Sequence, residues 1–369
     1  MNLLKTSKFI LCSVLCSSLL TACSPNSELS LASLEQSSIG SATSSDSMWA
    51  SMGQHFALDH EINRSEVNTQ IAWLTHHQRT LYHTLQTAAP YISYAYEQTK
   101  KHGLPAELAL LPIIESGFNP YAHSKAGANG MWQIMPNTAP RLGLKNNRSY
   151  DGCRDIVAST DAALNYLASL HQSFHGDWEV ALGAYNWGPG NMESAEHHQS
   201  KWYRRARFWE LHLPAQTEKY VPKLLALAEV IQNPVRYHLE LPAISAAPQL
   251  ELVKVGARTD LKQVAKSSGI SVKTMQQLNP GYRNMATAAS TPNTLLVPVD
   301  KVQALKPTTP LIAAKNPESV ASPSATITLA ANTQSNHNTL LNTILKEGQW
   351  LVIGVANIPG LNVASGDST

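Results

Sequence analysis

Between Met48 and Asn233, apolar residues recur at three- and four-residue spacing, as in Ile71-Leu74, Leu81-Leu85 and Ile92-Ala95-Tyr96. That period places them on one face of a helix. Gly103 ends one such segment, Pro105 opens the next, and Ala106–Ser116 reads as a nearly all-apolar helix. Further helices are expected over Asp161–His175, Trp178–Trp187 and Tyr220–Gln232. Few strand patterns interrupt them, so this stretch is predicted to be an α-helical domain.

The pattern changes after Pro234, Pro242 and Pro248. Leu250–Val255 alternates as a strand does, and Leu261–Ser268 and Val272–Leu278 read as short helices, the second capped by Ser271. Leu295–Val299 suits a closing strand. The fold class expected is therefore mainly α, with a small α+β module of order βααβ.

These shifts divide the chain into a leader at 1–22, a Ser- and Ala-rich flexible tether at 23–47 and a helical domain at 48–235. A linker at 236–249, the βααβ module at 250–300, a low-complexity linker at 301–338 and a tail at 339–369 follow. Few contacts are expected to cross 236–249. The tail keeps only a fragment of pattern, Leu345–Ile353.

The leader starts with Lys5 and Lys8 and continues in an apolar run from Phe9 to Leu20, too short to span a bilayer comfortably. It ends in Leu20-Thr21-Ala22-Cys23, which resembles the bacterial lipobox. That resemblance implies cleavage before Cys23, lipidation at Cys23, and a membrane partnership through an N-terminal lipid anchor. Ser24 in place of an aspartate fits the outer membrane of a Gram-negative bacterium, with the protein facing the periplasm. Of four cysteines only Cys153 lies beyond this region, so it has no disulfide partner and reads as a buried or half-buried thiol.

A formal charge of +2 on 369 residues, with basic residues scattered, argues against a nucleic-acid partner. The short cluster Arg204, Arg205, Arg207 reads as a solvated helix face. His171 and His175 have a possible metal spacing but lack the glutamate of a zinc-protease helix. No cofactor and no metal are expected, and no protein partner is indicated.

Glu115 ends the run Leu108 to Ile114, which has no other charge. A carboxyl there is desolvated and holds its proton near neutrality, as an acid that protonates a glycosidic oxygen must. Gly127 to Pro136 is a glycine-flanked loop offering the Gln133 amide and the large apolar groups Met131 and Trp132 as an exposed face. Sugars present hydroxyls, N-acetyl amides and apolar ring faces, which these groups suit. Ala184 to Gly190 follows, a Tyr185/Asn186 pair at a helix end, where Gly188 and Gly190 would let the backbone approach closely.

These segments resemble, in order, the Glu-Ser, Gly-Met-Trp-Gln and Ala-Tyr-Asn motifs of the lytic transglycosylases with the goose-lysozyme-like fold. Thr217-Glu218-Lys219-Tyr220-Val221-Pro222-Lys223 is a fourth match, and the likeness covers roughly 90–235. It implies a lysozyme-like catalytic domain acting on peptidoglycan glycan strands. The bond broken would be the β-1,4 link between N-acetylmuramic acid and N-acetylglucosamine, leaving a 1,6-anhydro end. It implies Glu115 as acid and then base, and Tyr185 beside it as a second catalytic residue. Ser116, Met131, Gln133 and Asn186 would hold substrate, and Glu218 would stand near the site as an orienting carboxylate. A lysozyme-type hydrolase on the same fold and an inactive peptidoglycan-binding lipoprotein are the alternatives.

The module at 250–300 resembles a LysM domain through Thr259-Asp260-Leu261, Val264-Ala265, Gly269-Ile270-Ser271 and Leu278-Asn279. LysM domains bind chains containing N-acetylglucosamine. The stretch 281–293 is longer than that pattern, which leaves open a spacer with a LysM-like fold.

Overall fold

The computed structural model describes residues 47–199 and 207–305. Cys23, Arg204, Arg205, the linker beyond 305 and the tail at 339–369 lie outside them.

The helical region contains α1 (Met48–Gly53), α2 (Ser65–His76) and α3 (Gln78–Lys101), then a 3-10 turn over Ala106–Leu110. It continues through α4 (Leu111–Ser116), α5 (Ile156–Ser173), α6 (Trp178–Trp187), α7 (Pro189–Gln199), α8 (Ala215–Glu218) and α9 (Tyr220–Gln232). Two expected helices differ in detail. Ala106–Ser116 is divided, because Pro112 has no N–H to donate and sits in the first turn of α4. The helix expected from Asp161 begins at Ile156, where the Asp155 carboxylate accepts from Ala158 N and caps it.

Helix α9 is apolar apart from Lys223, Glu229 and Gln232, and Leu224, Leu225, Ala226, Leu227, Ala228, Val230 and Ile231 are all buried. A helix of that kind belongs in a core. Truncating Leu224 or Leu225 to Ala costs about 2–5 kcal/mol, so the position of α9, and of the residues it presents, is firmly set. Its far end is held by charge. Glu229 lies 3.0 Å from His60 Nδ1 and accepts from Tyr237 and Asn233, while Glu107 accepts from the amides of Ala57 and Leu58. Burial lowers the His60 pKa, but the bonds to Glu107 and Glu229 outweigh it, and the net shift is upward.

The C-terminal module is β1 (Leu250–Lys254), α10 (Leu261–Ser268), α11 (Val272–Leu278) and β2 (Thr294–Pro298), closed by α12 (Val302–Leu305). β1 and β2 pair antiparallel, with Leu250 opposite Pro298 and Lys254 opposite Thr294. Val302 and Leu305 join the module's core.

Contacts between the module and the helical domain are many, contrary to the expectation of few. Residues 281–283, in the unusually long stretch, form the junction. Asp151 N donates to Gly281 O at 2.9 Å, Arg283 N donates to Ser149 O at 3.0 Å, and Arg283 Nη2 reaches Asp151 Oδ2 at 2.8 Å. A Cβ at Gly281 would stand 2.7 Å from Asp155 Cβ, so only glycine fits. Tyr121 donates to Gln276 O, and Leu278 and Leu296 are buried in the helical domain's own core cluster. The segment before β1 also folds back, since Trp49 Nε1 donates to Pro242 O at 2.8 Å.

Candidate active site

Helix α4 ends at Ser116, with Gly117 left-handed after it, so Glu115 sits in its last turn, fully buried. Burial pushes its carboxyl up to about 8, against the opposing effects of a Tyr220 hydrogen bond and the Lys223 charge. Tyr220 donates to Oε1 at 2.6 Å, while the buried Oε2 has no partner.

Four hydrogen bonds join the four sequence motifs into a closed ring. Ser116 Oγ donates to Met131 O at 2.8 Å. Tyr185 OH donates to Trp132 O at 2.9 Å. Thr217 Oγ1 donates to Asn186 Oδ1 at 3.0 Å. Tyr220 then returns to Glu115. Each element is thereby fixed against the next.

Within the second motif the turn depends on Gly130, at φ +77°, where a Cβ would meet Cys153 O at 1.8 Å. Cys153 is itself buried, and burial pushes its thiol up to about 12, the opposite of an activated nucleophile. Gln133 Nε2 donates to Gly130 O at 2.8 Å, leaving Oε1 buried and unpartnered. Asn186 Nδ2 is likewise buried and unpartnered. Three of the four motifs thus each contribute a buried polar atom without a partner: an acid oxygen, an amide oxygen and an amide N–H. Buried polar groups are nearly always bonded, so atoms of this kind are expected where a ligand completes the set.

Several expectations need correction. Met131 and Trp132 are not an exposed face; both are fully buried. The Trp132 N–H is satisfied by Thr160 Oγ1 at 3.0 Å, which removes the cost of burying it. Ser116 commits its hydroxyl to Met131 O and Pro112 O, so it braces the site. Nothing stands within 4 Å of a Cβ at Gly190, so no neighbouring group of the described residues requires glycine there. Glu218 is exposed at the end of α8, and its motif acts on the site through Thr217 and Tyr220. Tyr185 bonds to Trp132 O and feels the Glu115 charge through space, while Tyr220 makes the direct bond. The sequence held the signal for Tyr220, since it lies in the fourth motif.

His171 Nε2 bonds Gly176 O and its ring stacks on Trp178. Among the described residues no group of three metal-ligating side chains converges.

Helical scaffold, buried carboxyl and motif ring together define a transglycosylase SLT domain, and that family matches residues 93–207. The family described as the LysM-like domain of lytic transglycosylase MltD matches residues 249–314. Over these two segments the chain is similar to lytic murein transglycosylases. It is 37% identical over 251 residues to membrane-bound lytic murein transglycosylase D of Escherichia coli, covering 68% of this chain and 55% of the relative. The chain thus spans about half the length of that relative. It is 40% identical over 124 residues to an Alteromonas protein named for tributyltin chloride resistance, covering 34% of this chain and 56% of that one. A solved structure of an inactive lytic transglycosylase Slt mutant from Pseudomonas aeruginosa matches at 24% identity and TM-score 0.32, covering 41% of this chain and 25% of the other.

Proposed function

We propose that the chain is a peptidoglycan lytic transglycosylase in cell-wall remodelling, with Glu115 serving in turn as acid and base. The observation that carries this reading is the buried Glu115, whose environment favours the protonated form near neutrality while Oε2 stays free to donate. Glu115 protonates the oxygen linking N-acetylmuramic acid to N-acetylglucosamine, and the glycosidic bond breaks. The muramyl 6-hydroxyl attacks the anomeric carbon, and the Glu115 carboxylate takes its proton. A 1,6-anhydro ring forms and no water is consumed.

Glycosidases that use two carboxylates divide these roles between them. Of the two motif carboxylates, Glu115 is buried in the ring and Glu218 is exposed, which supports a single carboxyl doing both. The Gln133 amide oxygen suits an N-acetyl N–H, and the Asn186 amide N–H suits a sugar oxygen. Glu115 and Gln133 have no exposed surface, so substrate entry requires neighbouring side chains to part.

Relatives carry the name membrane-bound, and no helix among the described residues is long and apolar enough to cross a membrane. The lipobox-like sequence at Cys23 supports a lipid anchor in the outer membrane, several acyl chains holding stably where one does not. The test of the reaction is Glu115→Gln, which keeps size but cannot exchange the proton. It is expected to lose at least ~100-fold in rate on purified sacculi; turnover near wild type refutes the assignment.

A further inference from the structure

Gln133 is held in an unfavourable backbone state. Its φ is +49°, a left-handed value that a residue other than glycine keeps only where its surroundings fix it. Its backbone N–H and its side-chain Nε2 both donate to Gly130 O, at 3.2 and 2.8 Å. The place of the Gln133 amide, and the aim of its unpartnered Oε1, therefore follow from where Gly130 lies.

Gly130 is wedged between two segments. On one side its N–H donates to Ala122 O at 3.0 Å. On the other, Cys153 O packs so closely that no Cβ fits. Each segment is fastened in turn to the LysM-like module. Tyr121, next to Ala122, donates to Gln276 O at 3.1 Å. Cys153 N donates to Asp151 Oδ1 at 3.2 Å, and Asp151 Oδ2 accepts from Arg283 Nη2 at 2.8 Å. Arg283 also donates to Asn146 Oδ1 at 2.9 Å. Arg154 ties the two segments together, with Nε 3.6 Å from Asp151 Oδ2 and its guanidinium 6.0 Å from the centre of the Tyr121 ring. Two routes from the module thus converge on one glycine. Arg283 is the charged link in one of them, pairing with a buried carboxylate that loses its compensation if the arginine is removed.

We infer that Arg283 is a positioning residue for substrate binding: through Asp151 and Cys153 it sets Gly130, and hence Gln133, so that the module shapes the catalytic site from outside it. This role rests on the proposed contact of Gln133 with the sugar. Full-length protein is assayed on soluble oligomers of alternating N-acetylglucosamine and N-acetylmuramic acid. Arg283→Met is expected to raise KM about fivefold with kcat within about twofold, the pattern of lost ground-state binding. Arg283→Lys keeps the charge and is expected to recover most of the loss. In protein carrying Gln133→Ala, adding Arg283→Met is expected to change KM no further, because the two residues act as one unit. Should Arg283→Met impair folding, Tyr121→Phe cuts the other route and is expected to raise KM in the same way. Effects of Arg283→Met and Gln133→Ala that multiply, or an unchanged KM in both Arg283→Met and Tyr121→Phe, overturn the proposal. Hydrogen exchange at the Gly130 and Gln133 amides reads the brace without the reaction. Exchange that quickens with Arg283→Met, in a protein whose parent releases no anhydro products, counts against the reaction and leaves the brace standing. Exchange that does not change overturns the brace.

Discussion

The hydroxyl of Tyr220 lies 2.6 Å from Oε1 of Glu115 and donates to it. Burial raises the Tyr220 pKa well above its ordinary value, so it remains a neutral donor. With Oε1 occupied as an acceptor, the acid hydrogen of Glu115 is left to Oε2, the oxygen without a partner. The bond thus selects which oxygen delivers the proton.

Tyr220→Phe tests this relationship. Removing the phenol leaves Oε1 buried and unpaired, at about 1–3 kcal/mol, and removes an influence that lowers the Glu115 pKa. The alkaline limb of the kcat profile is therefore expected to move to higher pH, with kcat down at least ~10-fold. A limb that stays in place or moves toward acid contradicts the assignment.

Glu115 also weakens the fold, and the direction can be worked out. Its carboxyl titrates near 4.5 in the unfolded chain and about 8 in the folded one. Between those values the folded state binds more protons, so stability falls as pH rises. The loss approaches roughly 1.4 kcal/mol per pH unit across that window as an upper bound. Glu115→Gln is therefore expected to melt above wild type at pH 8, with the gap closing below pH 4.5. Thermal melts across that range decide it; a variant less stable at pH 8 than at pH 4, relative to wild type, contradicts it.

The sequence displayed the chemistry more fully than the packing. Helices Trp178–Trp187 and Tyr220–Gln232, α10 and α11 follow from apolar period and caps, and the structure has the same bounds. Glu115 stands out as the lone charge ending an apolar run, Gln133 as an amide that suits sugars, and Asn186 through the motif resemblance; all three hold an unpartnered buried atom. Exposure was not legible. Met131 and Trp132 lie in a glycine-flanked loop, and only the tertiary partner Thr160 reveals that the loop faces inward. The Tyr220 bond joins residues 105 apart in the chain, beyond any local pattern. The excess length at 281–293 was visible, but its use as a junction depends on Asp151 and Ser149, far away in sequence.

That junction makes a third prediction. Gly281→Ala places a Cβ against Asp155, which caps α5, and is expected to cost about 1–3 kcal/mol. Hydrogen exchange at the Asp151 amide, which donates to Gly281 O, should quicken together with that at Ala158. A fragment of residues 48–235 should melt below the full chain, because it loses the buried Leu278 and Leu296. Unchanged exchange and equal melting temperatures show instead that the module is an independent appendage.

In the proposed reaction one carboxyl serves as acid and base, with the substrate's own 6-hydroxyl as nucleophile. Mass spectrometry of the muropeptides released from purified sacculi by the full-length protein tests it most directly. Muramyl ends lighter by one water than hydrolysis gives are expected, in products that Glu115→Gln does not release. Reducing ends carrying that water, with labelled oxygen incorporated from the solvent, contradict it and identify a lysozyme-type hydrolase.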